Sequence, residues 1–287
     1  MKAIILAAGV GRRLGKRAEG IPKCLIPIGG RPLLLRTLAS LGKLGITDRV
    51  VVVGHEREKI ERLVIQDSTG IGRVRFRVNP DYKKGSILSL WCVRDEFESE
   101  DQSALGGLPV RARGVGSTCL PAGRSEDQRL VSPHGPSQMN DDLLIMDADV
   151  LFPDALLSKL VSSPHANAFL LDPRSDSSGE EMMLMVKGDR VIHIGRKMEG
   201  AYDLIGEGVG FLKLSHRDAP LLKEVLEQLV REGKDGCEYE EALEVFLQKA
   251  VVGYEPVGTL AWTEIDFPED IEKAEKEVLP LLNVQDI

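Results

Sequence analysis

The chain of 287 residues is 43% hydrophobic and 29% charged, an ordinary globular mixture with enough apolar side chains for a sizeable core. With 37 Lys and Arg against 45 Asp and Glu, its formal net charge of -8 excludes a broad basic surface for nucleic acid. Anionic nucleotides remain accessible as ligands wherever local Lys, Arg, backbone amides or a metal outweigh that field.

Residues 2–8 are a continuous apolar run closed by Gly9, the pattern of a short, fully buried strand. The run is too short for a signal peptide, and no later one approaches the ~18 apolar residues that span a bilayer. A cytoplasmic protein with no membrane span is expected. The 4 cysteines, Cys24, Cys92, Cys119 and Cys237, form no CxxC pair and have no His at metal-ligand spacing. That pattern suits reduced thiols rather than a zinc site or a disulfide framework. Residues 9–22 form a loop rich in Gly and Arg. A helix is predicted over 32–44, with Pro32 at its start and Leu34, Leu38, Leu41 and Leu44 on one face. A second buried strand is expected at 49–53, a short helix at 56–64, a third strand at 74–78, and a helix at 86–97 with Ser86 as its N-cap.

Residues 98–140 are rich in Gly, Pro, Ser, Arg and Gln without periodicity. They are too long for an ordinary loop inside a domain and read as a mobile insertion at the edge of the fold. Order returns with an apolar strand at 143–146 that runs into Asp147-Ala148-Asp149. A helix follows at 153–161, then strands at 168–172, 182–186, 191–194 and 208–214. Amphipathic helices are predicted at 219–232 and 239–249, and a last helix at 268–282. Strand and helix alternate through the first half, which predicts an α/β fold, one domain over 1–287, with a mostly parallel mixed sheet covered on both faces. Ligands of such sheets bind beyond the carboxyl ends of the strands, where the Gly9 loop and the Asp147/Asp149 pair both fall.

Leu6-Ala7-Ala8-Gly9-Val10-Gly11-Arg12-Arg13-Leu14 combines small residues with the charges of Arg12 and Arg13. Small residues let the backbone approach a phosphate chain with its amides turned toward it. The segment is not the dinucleotide fingerprint, which needs a third glycine where Leu14 stands, nor a P-loop, which ends in Gly-Lys-Ser/Thr. Alone it is the glycine-rich turn that opens many α/β domains. Read together with Pro22-Lys23-Cys24-Leu25, Ile28-Gly29-Gly30-Arg31-Pro32-Leu33 and Arg36, it resembles the signature of the nucleotidyltransferase superfamily. That superfamily includes sugar-phosphate nucleotidylyltransferases and phospho-alcohol cytidylyltransferases. The resemblance implies a Rossmann-like three-layer α/β/α sandwich. It also implies that Leu6, Ala7, Ala8, Gly9 and Gly11 hold the triphosphate and base, that Arg13 binds the β- and γ-phosphates, and that Lys23 contacts the phosphates of the reacting groups.

Asp147 and Asp149 follow an apolar strand, and strand alternation lets both leave it on one side, as a metal pair or as a plainly solvated strand end. Glu264 and Asp266 share parity ahead of the final helix. Two Asp from separate segments meeting at a triphosphate suit Mg²⁺, which takes carboxylate oxygens and keeps water and phosphate ligands. The resemblance assigns Mg²⁺ to Asp149 and Asp266, with Asp147 as a nucleotide-side and Glu264 as a substrate-side candidate. The run Glu264-Ile265-Asp266-Phe267-Pro268-Glu269-Asp270 is typical of the cytidylyltransferase branch.

The stretch from Asn79-Pro80 through Gly85-Ser86 to Ser89-Leu90 is similar to one in cytidylyltransferases for inositol phosphate, phosphocholine or aminoethylphosphonate, with Ser86 where many have Asn. Asn79, Ser86 and Ser89 are therefore nucleotide-side candidates; the alternative is a capped helix and nothing more. Lys197 matches a lysine that contacts the acceptor or the α-phosphate, with Arg196 beside it to share the task, and Glu207 is placed in the acceptor site. Glu238-Tyr239-Glu240-Glu241 is either a favourable acidic first turn of a helix or a wall for an amine or trimethylammonium group, with Glu238 and Tyr239 on the substrate.

The implied reaction is transfer of CMP from CTP to a phospho-alcohol or phosphonate, 2-aminoethylphosphonate or phosphocholine ahead of inositol 1-phosphate, with pyrophosphate leaving. Lys23, Arg13 and Lys197 would be the catalytic cations. An acceptor with a second pKa of roughly 6 to 7 is already a dianion and needs no general base, which suits a chain whose 5 histidines form no constellation. One alternative is a sugar-1-phosphate or inositol-1-phosphate nucleotidyltransferase; the lack of hexapeptide repeats after Asp266 speaks against a sugar nucleotide. The other is a non-catalytic nucleotide-sensing subunit, against which Lys23, Asp149 and Asp266 are all retained. A homodimer is compatible with the sequence.

Overall fold

The computed structural model describes residues 1–18, 20–67, 72–98, 142–175 and 179–282. The insertion predicted at 98–140 lies, apart from Glu98, outside the described residues. The chain opens with β1 (Lys2–Ala7), a small hairpin of β2 (Pro27–Ile28) and β3 (Arg31–Pro32), helix α1 (Leu33–Lys43), β4 (Asp48–Val53), α2 (Arg57–Gln66) and β5 (Val74–Val78). There follow α3 (Ile87–Trp91), β6 (Leu143–Asp147), β7 (Val150–Leu151), α4 (Asp154–Val161), β8 (Ala168–Asp172), β9 (Met183–Lys187), β10 (Arg190–Gly195) and β11 (Leu204–Leu214). The chain continues through α5 (Ala219–Arg231), α6 (Tyr239–Leu247), β12 (Gly253–Pro256), β13 (Thr263–Glu264) and α7 (Pro268–Lys273).

The central sheet is mixed, in the order β10-β9-β11-β6-β1-β4-β5, with β8 bridging β11 and β12. Strands β6, β1, β4 and β5 run parallel. The long β11 lies antiparallel to β6, β8 and β9, and its register shifts between Gly208 and Leu212. Side-chain alternation divides the core in two. Ile4, Val50 and Val52 face a cluster roofed by α3, α5 and α6. Ala3, Ile5, Val51 and Val53 face another roofed by α1, α2 and α4. Continuous apolar runs in β1 and β4 follow from burial on both faces, and the result is the expected three-layer α/β/α sandwich.

A third, smaller cluster positions the site. Leu14, the residue that breaks the dinucleotide fingerprint, is fully buried with Ile26, Ile28, Leu33, Ile265, Ile271 and Val278. It pins the glycine-rich loop onto the segment that leads into α7. Two predicted helices are shorter than their periodicity suggests. The 86–97 helix ends at Trp91 and resumes as a 3-10 turn, Arg94–Phe97, that brings Glu96 against the sheet edge. The 268–282 helix widens after Lys273 into a π turn and then a 3-10 turn, Leu279–Leu281, around Pro280, which has no N–H to continue the ladder. Strand β11 begins at Leu204, before the predicted 208.

Candidate active site

Two acidic segments far apart in sequence are stitched side by side. Strand β6 ends at Asp147, and β7 pairs antiparallel with β13, Val150 opposite Glu264 and Leu151 opposite Thr263. Beyond the ladder the Ile265 N–H donates to the Asp149 carbonyl at 3.0 Å. The Asp266 and Phe267 amides both donate to the Asp270 carboxylate, at 2.8 and 2.7 Å, a capping turn that fixes Asp266 just ahead of α7. Lys23 enters on a short 3-10 turn, Lys23–Leu25, held down by buried Cys24. Its ammonium lies 2.7 Å from Asp149 and 3.6 Å from Glu264, and it hydrogen-bonds Asp266.

Burial alone would lower the Lys23 pKa, but the charges of Asp149, Glu264 and Asp266 outweigh it and raise it. Lys23 is a permanent cation at any working pH. Burial, reinforced by Asp149 and Asp266 and opposed by Lys23, pushes Glu264 up to about 8. One oxygen of Asp149, Oδ1, is buried with no hydrogen-bond partner.

The end of β1 borders this cluster. The Leu6 carbonyl accepts from Ala148 N–H at 3.2 Å, and the Ala8 carbonyl from His55 N–H at 3.2 Å. Gly11 lies against Lys23, where a Cβ would meet the lysine Cβ at 3.3 Å. Arg13 stands at the rim, 3.4 Å from Asp266 and 3.3 Å from Glu180, with its guanidinium 5.5 Å from the centre of the Phe267 ring.

Beside the cluster opens a cavity of about 170 Å³. Its apolar floor includes Phe169, Met182, Leu184 and Leu243, and its polar wall Asp147, Arg196, Tyr239, Glu240 and Glu264. The Tyr239 hydroxyl donates to Asp147 at 2.7 Å. Burial, with the charges of Asp149 and Glu240, raises the Asp147 pKa well above the carboxylate range. Burial also pushes Glu240 up to about 7, with Glu238 adding to the effect. Arg196, the nearby cation, is engaged by both oxygens of Glu238. Among the described residues, neither Asp147 nor Glu240 forms an ion pair with a basic side chain.

The structure thus brings together Leu6, Ala7, Ala8, Gly9, Gly11, Arg13, Lys23, Asp147, Asp149, Tyr239, Glu264 and Asp266, with Glu238 at the rim through Arg196. Five other candidates are placed elsewhere. Lys197 is exposed and off the cavity, its carbonyl bonded to the His193 ring at 2.9 Å. Arg196 lines the wall instead, because neighbouring residues at a strand end point to opposite sides. Glu207 lies on the other side of β11 from Gly208, over a separate hollow with Arg174, Trp262 and Lys273. Asn79 and Ser89 are buried and bond each other at 3.2 Å, while Asn79 accepts from Asp81 N–H at 2.9 Å. They shape the 79–85 turn from within. Ser86 does not cap its own helix; it accepts from the Tyr239 amide at 2.8 Å. Glu180 and Met182 of the cavity carried no sequence signal. Asp270 carried one, as the acid in the first turn after Pro268.

The chain belongs to the family of the MobA-like NTP transferase domain, which matches residues 3–190. Across 98% of its length it is 26% identical to the CMP-5'-(3-aminopropyl)phosphonate synthase of Streptomyces rubellomurinus, of which it covers 39%. Across 96% it is 24% identical to the bifunctional IPC transferase and DIPP synthase of Aquifex aeolicus, of which it covers 51%. The chain therefore spans about two-fifths and about half the length of these two curated relatives. Its fold matches the CTP:phosphocholine cytidylyltransferase of Streptococcus pneumoniae with a TM-score of 0.65 at 20% identity, over 96% of this chain and 97% of the other. No helix among the described residues is long and apolar enough to cross a membrane.

Proposed function

We propose that the chain is a Mg²⁺-dependent cytidylyltransferase that moves CMP from CTP onto a small phosphonate or phosphate monoester bearing an ammonium group, releasing pyrophosphate. One observation carries the reading: Lys23, Asp149, Glu264 and Asp266 converge where β1 and β6 end, beside an acidic cavity in which, among the described residues, Asp147 and Glu240 form no ion pair. The relatives with phosphonate and phosphocholine acceptors in their names support it. Strands from both ends of the described chain share one sheet, and the clusters on its two faces draw residues from Met1 to Trp262, which supports reading 1–287 as one domain with 98–140 inserted.

The residues fit Mg²⁺. Asp149 and Asp266 aim oxygens at the same ammonium, so their carboxylates converge, and Asp149 keeps a buried oxygen without a partner. Two carboxylates completed by phosphate and water, rather than a cage made by protein alone, is how Mg²⁺ is usually held. Asp149 and Asp266 would hold it, and when bound it draws charge from the phosphate oxygens. The chain does the rest by position. Backbone of Ala7 to Gly11 lines the triphosphate, and Lys23, always charged, offsets the negative charge that gathers as the acceptor attacks the α-phosphorus in line. One P–O bond forms and the bond to the β-phosphate oxygen breaks, with Arg13 at the rim facing the departing pyrophosphate. The acceptor arrives as a dianion, so no residue need take a proton.

Asp147 and Glu240 offer hydrogen-bond acceptors to a cation over an apolar floor. An ammonium with N–H groups satisfies them directly; a trimethylammonium draws on aromatic faces instead. Aminoalkyl phosphonates therefore rank first and phosphocholine second. Inositol or sugar phosphates bring no cation to favour the charged forms of Asp147 and Glu240, which burial disfavours. The test is pyrophosphate release with Mg²⁺, across the four nucleoside triphosphates crossed with 2-aminoethylphosphonate, phosphocholine, inositol 1-phosphate and glucose 1-phosphate. Turnover with CTP and the amine is expected. Turnover confined to a sugar phosphate, or nucleotide binding without turnover, would overturn the reading.

A further inference from the structure

We propose that Ser86 is a positioning residue for the acceptor side: its hydroxyl caps helix α6 from outside and so sets Tyr239 and, through it, Asp147. The inference rests on the cavity being the acceptor site.

The first amides of a helix have no partner within it. Glu238, just ahead of α6, makes no side-chain cap. The Tyr239 N–H instead donates to Ser86 Oγ at 2.8 Å, across 153 positions of sequence. The main chains meet at the same place. Ile87 N–H donates to the Cys237 carbonyl at 3.3 Å, and Gly85 lies so close that a Cβ there would meet the Gly236 carbonyl carbon at 2.6 Å. At its other end Tyr239, 7% exposed, hands its hydroxyl hydrogen to Asp147 at 2.7 Å. A continuous chain, Ser86 to Tyr239 to Asp147, thus runs from the turn beside β4 to the polar wall of the cavity. The glycine-rich loop and Lys23 take no part in it. Freeing the Tyr239 amide loosens the first turn of α6, which carries Tyr239 and Glu240, and leaves the triphosphate side as it was.

The experiment is two-substrate kinetics on Ser86→Ala, Ser86→Thr and Tyr239→Phe. Loss of one neutral hydrogen bond predicts an acceptor KM raised about three- to tenfold in Ser86→Ala, with the CTP KM moved less than about twofold and the base preference unchanged. Ser86→Thr, which keeps the hydroxyl at an exposed position, restores the acceptor KM. Tyr239→Phe raises it too, and the double variant Ser86→Ala/Tyr239→Phe falls short of the product of the two. A shift in CTP KM or base preference, alone or together with the acceptor KM, overturns the assignment, as does no shift in either. Should the wild-type chain turn over no pair, the acceptor-site reading fails instead. Amide exchange at Tyr239 then decides for Ser86: faster in Ser86→Ala but not in Ser86→Thr supports the cap, and unaltered exchange refutes it.

Discussion

Lys23 holds together carboxylates that would otherwise repel one another. Removing it and removing one of its partners should therefore differ in kind. Lys23→Met leaves Asp149, Glu264 and Asp266 without their cation, and should cost about 1–3 kcal/mol of stability along with activity. Asp266→Asn removes a charge from a crowded acidic site, so its melting temperature should stay within a few degrees while turnover falls at least about 100-fold. Thermal melts and steady-state rates on both variants check this; an active Asp266→Asn would remove the metal role proposed for that residue. At this scale the sequence was informative where types and spacing were unusual. Lys23, the Asp147/Asp149 pair and the Glu264/Asp266 pair could be named from it. Arg196 rather than Lys197 on the cavity wall could not, because that choice depends on where β10 ends, at Gly195.

The elements that assemble the site are the least regular in the molecule. Strands β7 and β13 have two residues each, too few for any period to show. Yet their pairing carries Glu264 and Asp266 to Asp149. Likewise Leu14 looked like a defect in a dinucleotide motif and proved to be a fully buried anchor. Leu14→Ala should cost about 2–5 kcal/mol and raise the CTP KM, because Arg13 is set by its neighbour's packing. Urea denaturation and initial rates test this, and unchanged stability would show that the third cluster does not pin the loop. By contrast β1, β4 and α1 were plain in the sequence, since residues buried on both faces of a sheet or along one face of a helix leave continuous or periodic apolar patterns.

Across the whole molecule, the two halves of the sheet divide the work. The parallel half, β6-β1-β4-β5, presents the glycine-rich loop. The antiparallel half, with β9, β10 and β11, forms the cavity with α6 and the end of β6 at Asp147. The first half announced itself by alternating strand and helix. The antiparallel placement of β11 between β6 and β9 did not, since an apolar strand reads the same in either direction. The sheet edge also sets acid stability. Glu96 is buried, and burial works against its charge, yet hydrogen bonds from Arg75 and Lys2 hold its pKa down to about 2. A lowered carboxylate pKa stabilises the fold above its ordinary value, and that contribution drains away as pH falls from 4.5 toward about 2. Glu96→Gln should cost about 1–3 kcal/mol at pH 7, allowing for solvent around its partly exposed arginine partners. The variant's stability should vary less over that acid window. Equal pH slopes for variant and wild type would contradict this.

The central claim, transfer of CMP to a phosphonate or phosphate acceptor, is tested most directly by phosphorus NMR of CTP, Mg²⁺ and 2-aminoethylphosphonate incubated with the chain. The account predicts that the phosphonate and α-phosphorus signals are replaced by those of a mixed phosphonate–phosphate anhydride as pyrophosphate appears in equal amount. CTP left intact, or cleaved to CDP and phosphate with the phosphonate signal unmoved, would contradict it.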